Sequence, residues 1–291
     1  MKFVTRSLYV TLILLISAFN SNAQKTELGF LAGGSYYYGD IVNNTIQLKT
    51  IGPGFGVFMR YHINKKTSIR GNLMYCRVQG ADSNMVRTNV TQWQRDRNLA
   101  FYSDVIEVSG MIEYNLIPDL NKGRKMYTRF VPYVLGGIGL FYFDPKAIHP
   151  ITGKPISLRP LRTDGTSYLP IAIALPIGVG VRYYLSKNWQ IGFELGTRLT
   201  STSRLDDVVG DAKYPNLESL PSDDARIMSI RNQNSVDKET QITTIMEGKP
   251  RGKIDYITDI YMIYGITVSY RIWPKGPRAY YGKAVRCPRF Y

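Results

Sequence analysis

The stretch WQIGFELGTR, Trp189 to Arg198, decides how this chain is read. Trp189, Ile191, Phe193 and Leu195 alternate with Gln190, Gly192, Glu194, Gly196 and Arg198. A period of two puts successive side chains on opposite faces of a β-strand. One face is therefore apolar, and the other carries a carboxylate and a guanidinium. A helical face would repeat every three to four residues, and this segment does not.

Seven more segments alternate in the same way. Thr26 to Tyr38 puts Leu28, Phe30, Ala32 and Tyr36 on one face. Phe55 to Ile63 sets Phe55, Val57, Met59, Tyr61 and Ile63 against Gly56, Phe58, Arg60 and His62. Thr67 to Val78 opposes Ile69, Leu73 and Tyr75 to Arg70, Asn72 and Cys76. Phe101 to Leu116 opposes Ile106, Val108, Ile112, Tyr114 and Leu116 to Glu107, Ser109 and Glu113. Phe130 to Phe143 carries Tyr133, Leu135, Phe141 and Phe143 around a glycine-rich centre. Ile171 to Leu185 has an unbroken apolar face, and its other face is small until Arg182. Tyr256 to Ile272 sets Ile260, Met262, Tyr264, Ile266, Val268 and Tyr270 against Asp259, Gly265, Thr267, Ser269 and Arg271.

Alternation alone fits a soluble sandwich, apolar face inward, and a membrane barrel, apolar face outward. Three features favour the barrel. The polar faces hold Arg60, Arg70, Glu107, Glu113, Arg182, Glu194, Arg198 and Arg271, a set that suits a lumen of paired charges. Aromatics gather near segment ends (Tyr36, Tyr61, Tyr183, Trp189, Tyr270, Trp273), where a membrane interface would sit. Connections also alternate in length. Those at 64–66, 117–129 and 186–188 are the shorter set, and those at 39–54, 79–100, 144–170 and 200–255 are longer. Outer-membrane barrels have short periplasmic turns and long external loops. Pro176 fits this plan poorly, because it has no N–H for a ladder. It should force a bulge or a missing ladder bond.

The N-terminus reads as an export signal. Lys2 and Arg6 precede the apolar run Leu8 to Phe19, and Ser21-Asn22-Ala23 forms a small-residue cleavage site. That run is too short to span a bilayer, which needs roughly 20 residues. The expected organisation is a signal peptide over 1–23, an eight-stranded antiparallel transmembrane β-barrel over 24–272, and a short basic periplasmic C-terminal tail over 273–291. The tail has three prolines, five basic residues and no acidic ones.

Composition agrees, with 22 Tyr and 26 Gly. The formal charge is +15, or +13 without Lys2 and Arg6. For an exported protein this implies lipid head groups, lipopolysaccharide or acidic protein partners, and no nucleic acid. Cys76 and Cys287 are the only cysteines, and sequence leaves their pairing open.

Enzyme signatures are absent: no G-x-S-x-G, Walker loop, H-E-x-x-H or C-x-x-C occurs. No catalytic residue, cofactor or metal is assigned. His62 is expected in a lumen hydrogen bond, and His149 in solvent on a long loop. Asp206, Asp207 and Asp211 read as a solvated loop turn, with calcium binding as the lesser reading. A channel is not expected, because eight strands leave an interior that side chains fill.

Several segments resemble the PorG-like outer-membrane β-barrel family of Bacteroidota. They are GGSYYYGD (Gly33 to Asp40), RNLAFYSDVIEVSGMIEYNL (Arg97 to Leu116), PYVLGGIGLFYFDPKA (Pro132 to Ala147), LRPLRTDGT (Leu158 to Thr166), PIGVGVRYYLSKNWQIGFELGTRLT (Pro176 to Thr200), RLDDVVGD (Arg204 to Asp211) and CPRF (Cys287 to Phe290). The resemblance implies a non-enzymatic component of the type IX secretion system. It would anchor the periplasmic ring of a PorK-like lipoprotein and a PorN-like protein at the outer membrane. The periplasmic cations Lys122, Arg124, Lys125, Lys275, Arg278, Lys283, Arg286 and Arg289 are then the candidate docking residues. The alternatives are a surface adhesin or receptor using the long extracellular loops, and a barrel enzyme.

Overall fold

The computed structural model of the chain describes residues 26–41, 48–82, 98–121, 128–209, 214–215, 219–229, 231, 252 and 258–272. The expected signal peptide, the tail and Cys287 lie outside the described residues. Nine strands run β1 (Thr26–Tyr38), β2 (Gly52–His62), β3 (Thr67–Ala81), β4 (Ala100–Asn115), β5 (Phe130–Ile148), β6 (Pro155–Ser157), β7 (Ile171–Tyr184), β8 (Trp189–Thr200) and β9 (Ile260–Ile272). Among the described residues one α-helix, α1, covers Asp223–Ser229, and 3-10 turns cover Leu48–Thr50 and Arg159–Leu161.

Eight of the strands close into an antiparallel barrel. Each pairs with its sequence neighbour, β5 pairs with β7, and the ring shuts where Thr26 of β1 faces Ile272 of β9. β6 hooks onto the outer end of β5 through Lys146 and Ser157. Closure satisfies backbone groups around the whole wall, which is what a bilayer demands. No helix among the described residues is long and apolar enough to cross a membrane.

The wall faces out with its apolar side. Val108, Ile112, Ile138, Leu140, Ile177 and Ile266 are all more than half exposed. A soluble domain rarely leaves so continuous an apolar surface in water, so this belt is the lipid-contacting face of a transmembrane barrel of the outer-membrane type. At the short-turn end, Trp189 and Tyr270 meet edge to face at 5.1 Å. Tyr61, Tyr114 and Tyr183 are also exposed there, as an interfacial girdle requires.

Sequence alternation located all eight wall strands, and the length-sorted connections put both ends of the barrel at the short-turn end. Three details differ, and sequence leaves one open. Tyr36 is buried, because the upper part of β1 rises above the belt and is covered. The open one is the facing of β5: Tyr133, Leu135, Phe141 and Phe143 point inward, while Phe130, Val134, Leu140 and Tyr142 face out. Both faces of β5 are apolar, so composition gave no sign of which was which. β6 and α1 were not expected. The last strand begins at Ile260, and residues 253–257 before it lie outside the described residues.

Pro176 acts as its chemistry requires. The β5–β7 ladder runs to Gly136↔Ile177, skips, and resumes in the same register at Gly139↔Ala174. The β7–β8 ladder passes through Pro176↔Arg198 without a break. The missing bonds therefore lie on the β5 side.

Candidate functional site

The lumen has two storeys. In the lower one, toward the short turns, buried charges interlock. Arg60 donates from Nε and Nη2 to Glu113, at 2.6 and 2.9 Å, and pairs with Glu27 through Nη1. Arg182 reaches Glu113 at 3.1 Å and donates to Asn115 at 2.6 Å. Arg70 binds both Glu113 and Glu194, and its guanidinium lies 3.9 Å from the centre of the Phe58 ring. Tyr133 donates to Glu194 at 2.8 Å. These groups come from alternate positions on different strands, so strand period alone aims them inward.

This arrangement is a solid fill. Arg60, Arg70, Arg198 and Tyr133 are among the largest fully buried side chains. Buried charges persist only when paired and hydrogen-bonded, and here Glu113 serves three arginines and Glu27 two. His62 takes the expected place, with Nδ1 at 2.8 Å from Ser68 Oγ and Nε2 at 3.1 Å from Glu27.

The upper storey is apolar. Leu31, Tyr37, Met74, Cys76, Val78, Val105, Phe141, Phe143, Tyr261 and Ile263 pack inside the wall, and loop residues Ile41, Leu99, Leu158, Leu205, Val208 and Met228 close over them. Cys76 sits buried in this core. Ser222 caps α1 by accepting the Ala225 N–H at 3.2 Å. The helix adds Ala225 and Met228 to the lid.

At the short-turn rim, Asp119 accepts from Tyr184 and from Arg271 Nη2, both at 2.6 Å. Burial pushes the Asp119 carboxyl up. The Arg271 charge and the donors from Arg271, Tyr184 and the Asn121 N–H outweigh it, so the group ends below the usual aspartate range. The candidate docking cations Lys122, Arg124, Lys125, Lys275, Arg278, Lys283, Arg286 and Arg289 lie outside the described residues.

The long-loop end corrects two expectations. His149 is buried, not solvated; its Nδ1 accepts the N–H groups of Ile151 and Thr152 at 3.2 and 3.3 Å and so shapes its own turn. Asp206 and Asp207 are also buried, not parts of a solvated turn. Asp207 accepts from Thr163 Oγ1 and, at 2.7 Å, from the Tyr168 hydroxyl. Asp211 lies outside the described residues.

Asp206 belongs to a group that sequence did not bring together. One carboxylate oxygen each from Asp40, Asp206 and Asp259 lies within 4.8 Å of the other two, all buried. Asp40 follows β1, Asp206 follows β8 and Asp259 precedes β9, so three adjacent staves of the barrel deliver them. At an effective dielectric near 20, each like-charge pair at that range costs roughly 3–4 kcal/mol. Burial, then Asp259 and Asp40, push the Asp206 carboxyl well above its usual range. Burial and Asp40 push Asp259 up against the opposing donors Tyr37 and the Leu205 N–H.

Beside the lid, a cleft of about 580 Å³ is bordered by Lys49, Gln79, Asn98, Tyr102, Pro150 and Arg231, among others. No motif in the sequence marks it, because its lining comes from five separate stretches.

Solved structures share the barrel. Neisserial surface protein A is 8% identical, with a TM-score of 0.41, over 84% of this chain and 96% of that one. The outer membrane protein OprG of Pseudomonas aeruginosa is 10% identical, with a TM-score of 0.38, over 85% and 96%. The attachment invasion locus protein Ail of Yersinia pestis is 8% identical, with a TM-score of 0.37, over 85% and 98%. At these values the likeness carries no functional argument. No curated protein matches the sequence. The family model described as "Domain of unknown function (DUF6089)" matches residues 6–229, most of the length, and the chain belongs to that family.

Proposed function

We propose that this barrel is a non-enzymatic outer-membrane component of the type IX secretion system, anchoring the periplasmic ring of PorK-like and PorN-like proteins. The observation that carries the reading is the filled lumen. A wall pinned from within by Arg60, Arg70, Glu113 and Glu194 is a rigid membrane fixture and a poor conduit. The segments that resemble the PorG-like family supply the identity of the machine. The excess of positive charge supplies the mode of docking, since charge complementarity steers and orients association. In this reading the short-turn end faces the periplasm, and the cations of 122–125 and 275–289 contact the ring.

The test is affinity purification from the native host in mild detergent. Full-length chain is expected to bring down the ring proteins. A chain truncated after Ile272 is expected to fold, as read by heat-modifiable gel mobility, and to lose most of that association. Undiminished recovery of the ring with the truncated chain would refute tail docking. Recovery of no ring protein with the full chain would refute the secretion role.

The second reading is a surface receptor or adhesin. The cleft beside Lys49, Tyr102 and Arg231 favours it, because polar, aromatic and basic groups border it at the long-loop end. Deleting residues 211–249 would then abolish ligand binding and leave secretion intact.

A further inference from the structure

Asp206 and Asp259 accept every hydrogen bond that their carboxyl groups make with the described residues. Asp259 uses both carboxylate oxygens as acceptors: Oδ1 takes the Tyr37 hydroxyl proton at 2.8 Å, and Oδ2 takes the Leu205 N–H at 2.8 Å. Asp206 Oδ1 takes the Val208 N–H at 2.9 Å. Among the described residues, no lysine, arginine or histidine forms an ion pair with either group. By contrast, the buried lumen carboxylates Glu27, Glu113 and Glu107 each meet an arginine.

A second observation points to a ligand. Asp206 Oδ2 is buried and has no hydrogen-bond partner, and the side chain is almost wholly enclosed. The Tyr37 hydroxyl also faces Asp206, but its single proton goes to Asp259. An orphaned carboxyl oxygen in such a site is costly, and a cation that replaces the proton would satisfy it.

We infer that Asp40, Asp206 and Asp259 form a calcium site at the long-loop end of the barrel. The donor set is all oxygen, which selects a hard cation over zinc or copper. Calcium–oxygen distances of about 2.3–2.6 Å let ligand oxygens spread to nearly twice that around one ion, and the three oxygens here lie within 4.8 Å of one another. Calcium also tolerates irregular oxygen sets completed by water or carbonyls, whereas magnesium demands a near-ideal octahedron. The ion would tie the loop after β8 to the ends of β9 and β1. Asp259 already holds that loop through its main chain: its N–H donates to the Thr202 carbonyl, and its carbonyl accepts from Thr200.

The experiment uses the full chain, purified in detergent free of lipopolysaccharide, because lipopolysaccharide itself binds divalent cations. Terbium is the optical probe, excited through nearby tyrosines such as Tyr37, and calcium is the competitor. Wild type is expected to give saturable terbium luminescence that calcium displaces, and a Tm that climbs with calcium concentration relative to EDTA. Asp206→Asn is expected to lose the displaceable luminescence and the calcium-dependent rise. In EDTA it should melt no lower than wild type, because one like charge has gone. Asp259→Asn should lose the calcium response as well. A wild-type Tm that is the same in calcium and EDTA, with no displaceable terbium signal, would overturn the site. An undiminished response in Asp206→Asn would overturn its location, and a larger response to magnesium would overturn the choice of calcium.

Discussion

Arg70 on β3 meets Glu194 on β8 across the middle of the barrel. These strands stand on opposite sides of the ring, four staves apart. The contact is therefore a strut through the lumen, not a bond within the wall. Glu113 ties the same guanidinium to Arg60 and Arg182, so several struts share a hub.

Arg70→Met should destabilise the folded barrel by about 3–5 kcal/mol, because Glu194 then keeps only the Tyr133 hydroxyl as donor. Adding Glu194→Gln removes the stranded charge, while Glu113 keeps two arginines. The double variant should recover at least half of the loss. Urea unfolding in detergent, followed by tryptophan fluorescence, reads both. A double variant that is weaker than Arg70→Met alone would contradict the stranded-charge account.

The lipid belt predicts a depth dependence. Val108 lies at the centre of β4 and is 60% exposed. Val108→Arg should cost about 2–4 kcal/mol in a bilayer. Leu185, equally exposed at 60%, lies in the turn after β7, and Leu185→Arg should cost about 0–1 kcal/mol. Equal costs, measured by unfolding from liposomes, would mean that the belt is not centred where the strands place it.

Two glycines of facing strands should respond oppositely. A Cβ on Gly137 would lie 2.1 Å from the Gly110 carbonyl oxygen, whereas one on Gly110 would meet nothing within 4 Å. Gly137 also sits in the gap of the β5–β7 ladder opposite Pro176, where the two backbones of β4 and β5 crowd together. Gly137→Ala should cost about 1–3 kcal/mol through forced backbone shift. Gly110→Ala should be neutral or stabilise by up to about 1 kcal/mol through the unfolded chain. The same urea titration separates them.

Acid should weaken the short-turn rim. The carboxyl of Asp119 is held below the usual range in the folded state, against the pull of burial, by Arg271 and its donors. A depressed acid stabilises the fold above its unfolded pKa, near 4 for aspartate. That contribution falls away as pH drops through the folded value. The stability difference between wild type and Asp119→Asn should be widest above about pH 5 and shrink below about pH 4. A difference that stays constant from neutral pH to pH 2 would assign Asp119 a role other than its charge.

The sequence by itself determined the wall. Alternation at Trp189 to Arg198 and in seven other segments follows from a backbone that turns each side chain over, so strand number and polar face were legible residue by residue. Connection lengths then put both ends of the barrel at the short-turn end, because they follow directly from where strands stop. Pro176 announced its own gap. Only the tertiary structure divided the lumen into a charged storey and an apolar one, because inward faces of different strands meet only when the ring closes. The facing of β5 stayed open for that reason: both of its faces are apolar, and alternation is silent when neither face is polar. The burial of Asp206 and Asp207 was invisible for a similar reason. A charged pair in a long connection is normally solvated, and nothing near residue 206 tells that residues 40 and 259 will be brought beside it. Three adjacent staves do that, and adjacency around a closed ring is a property of the fold, not of any one stretch of chain.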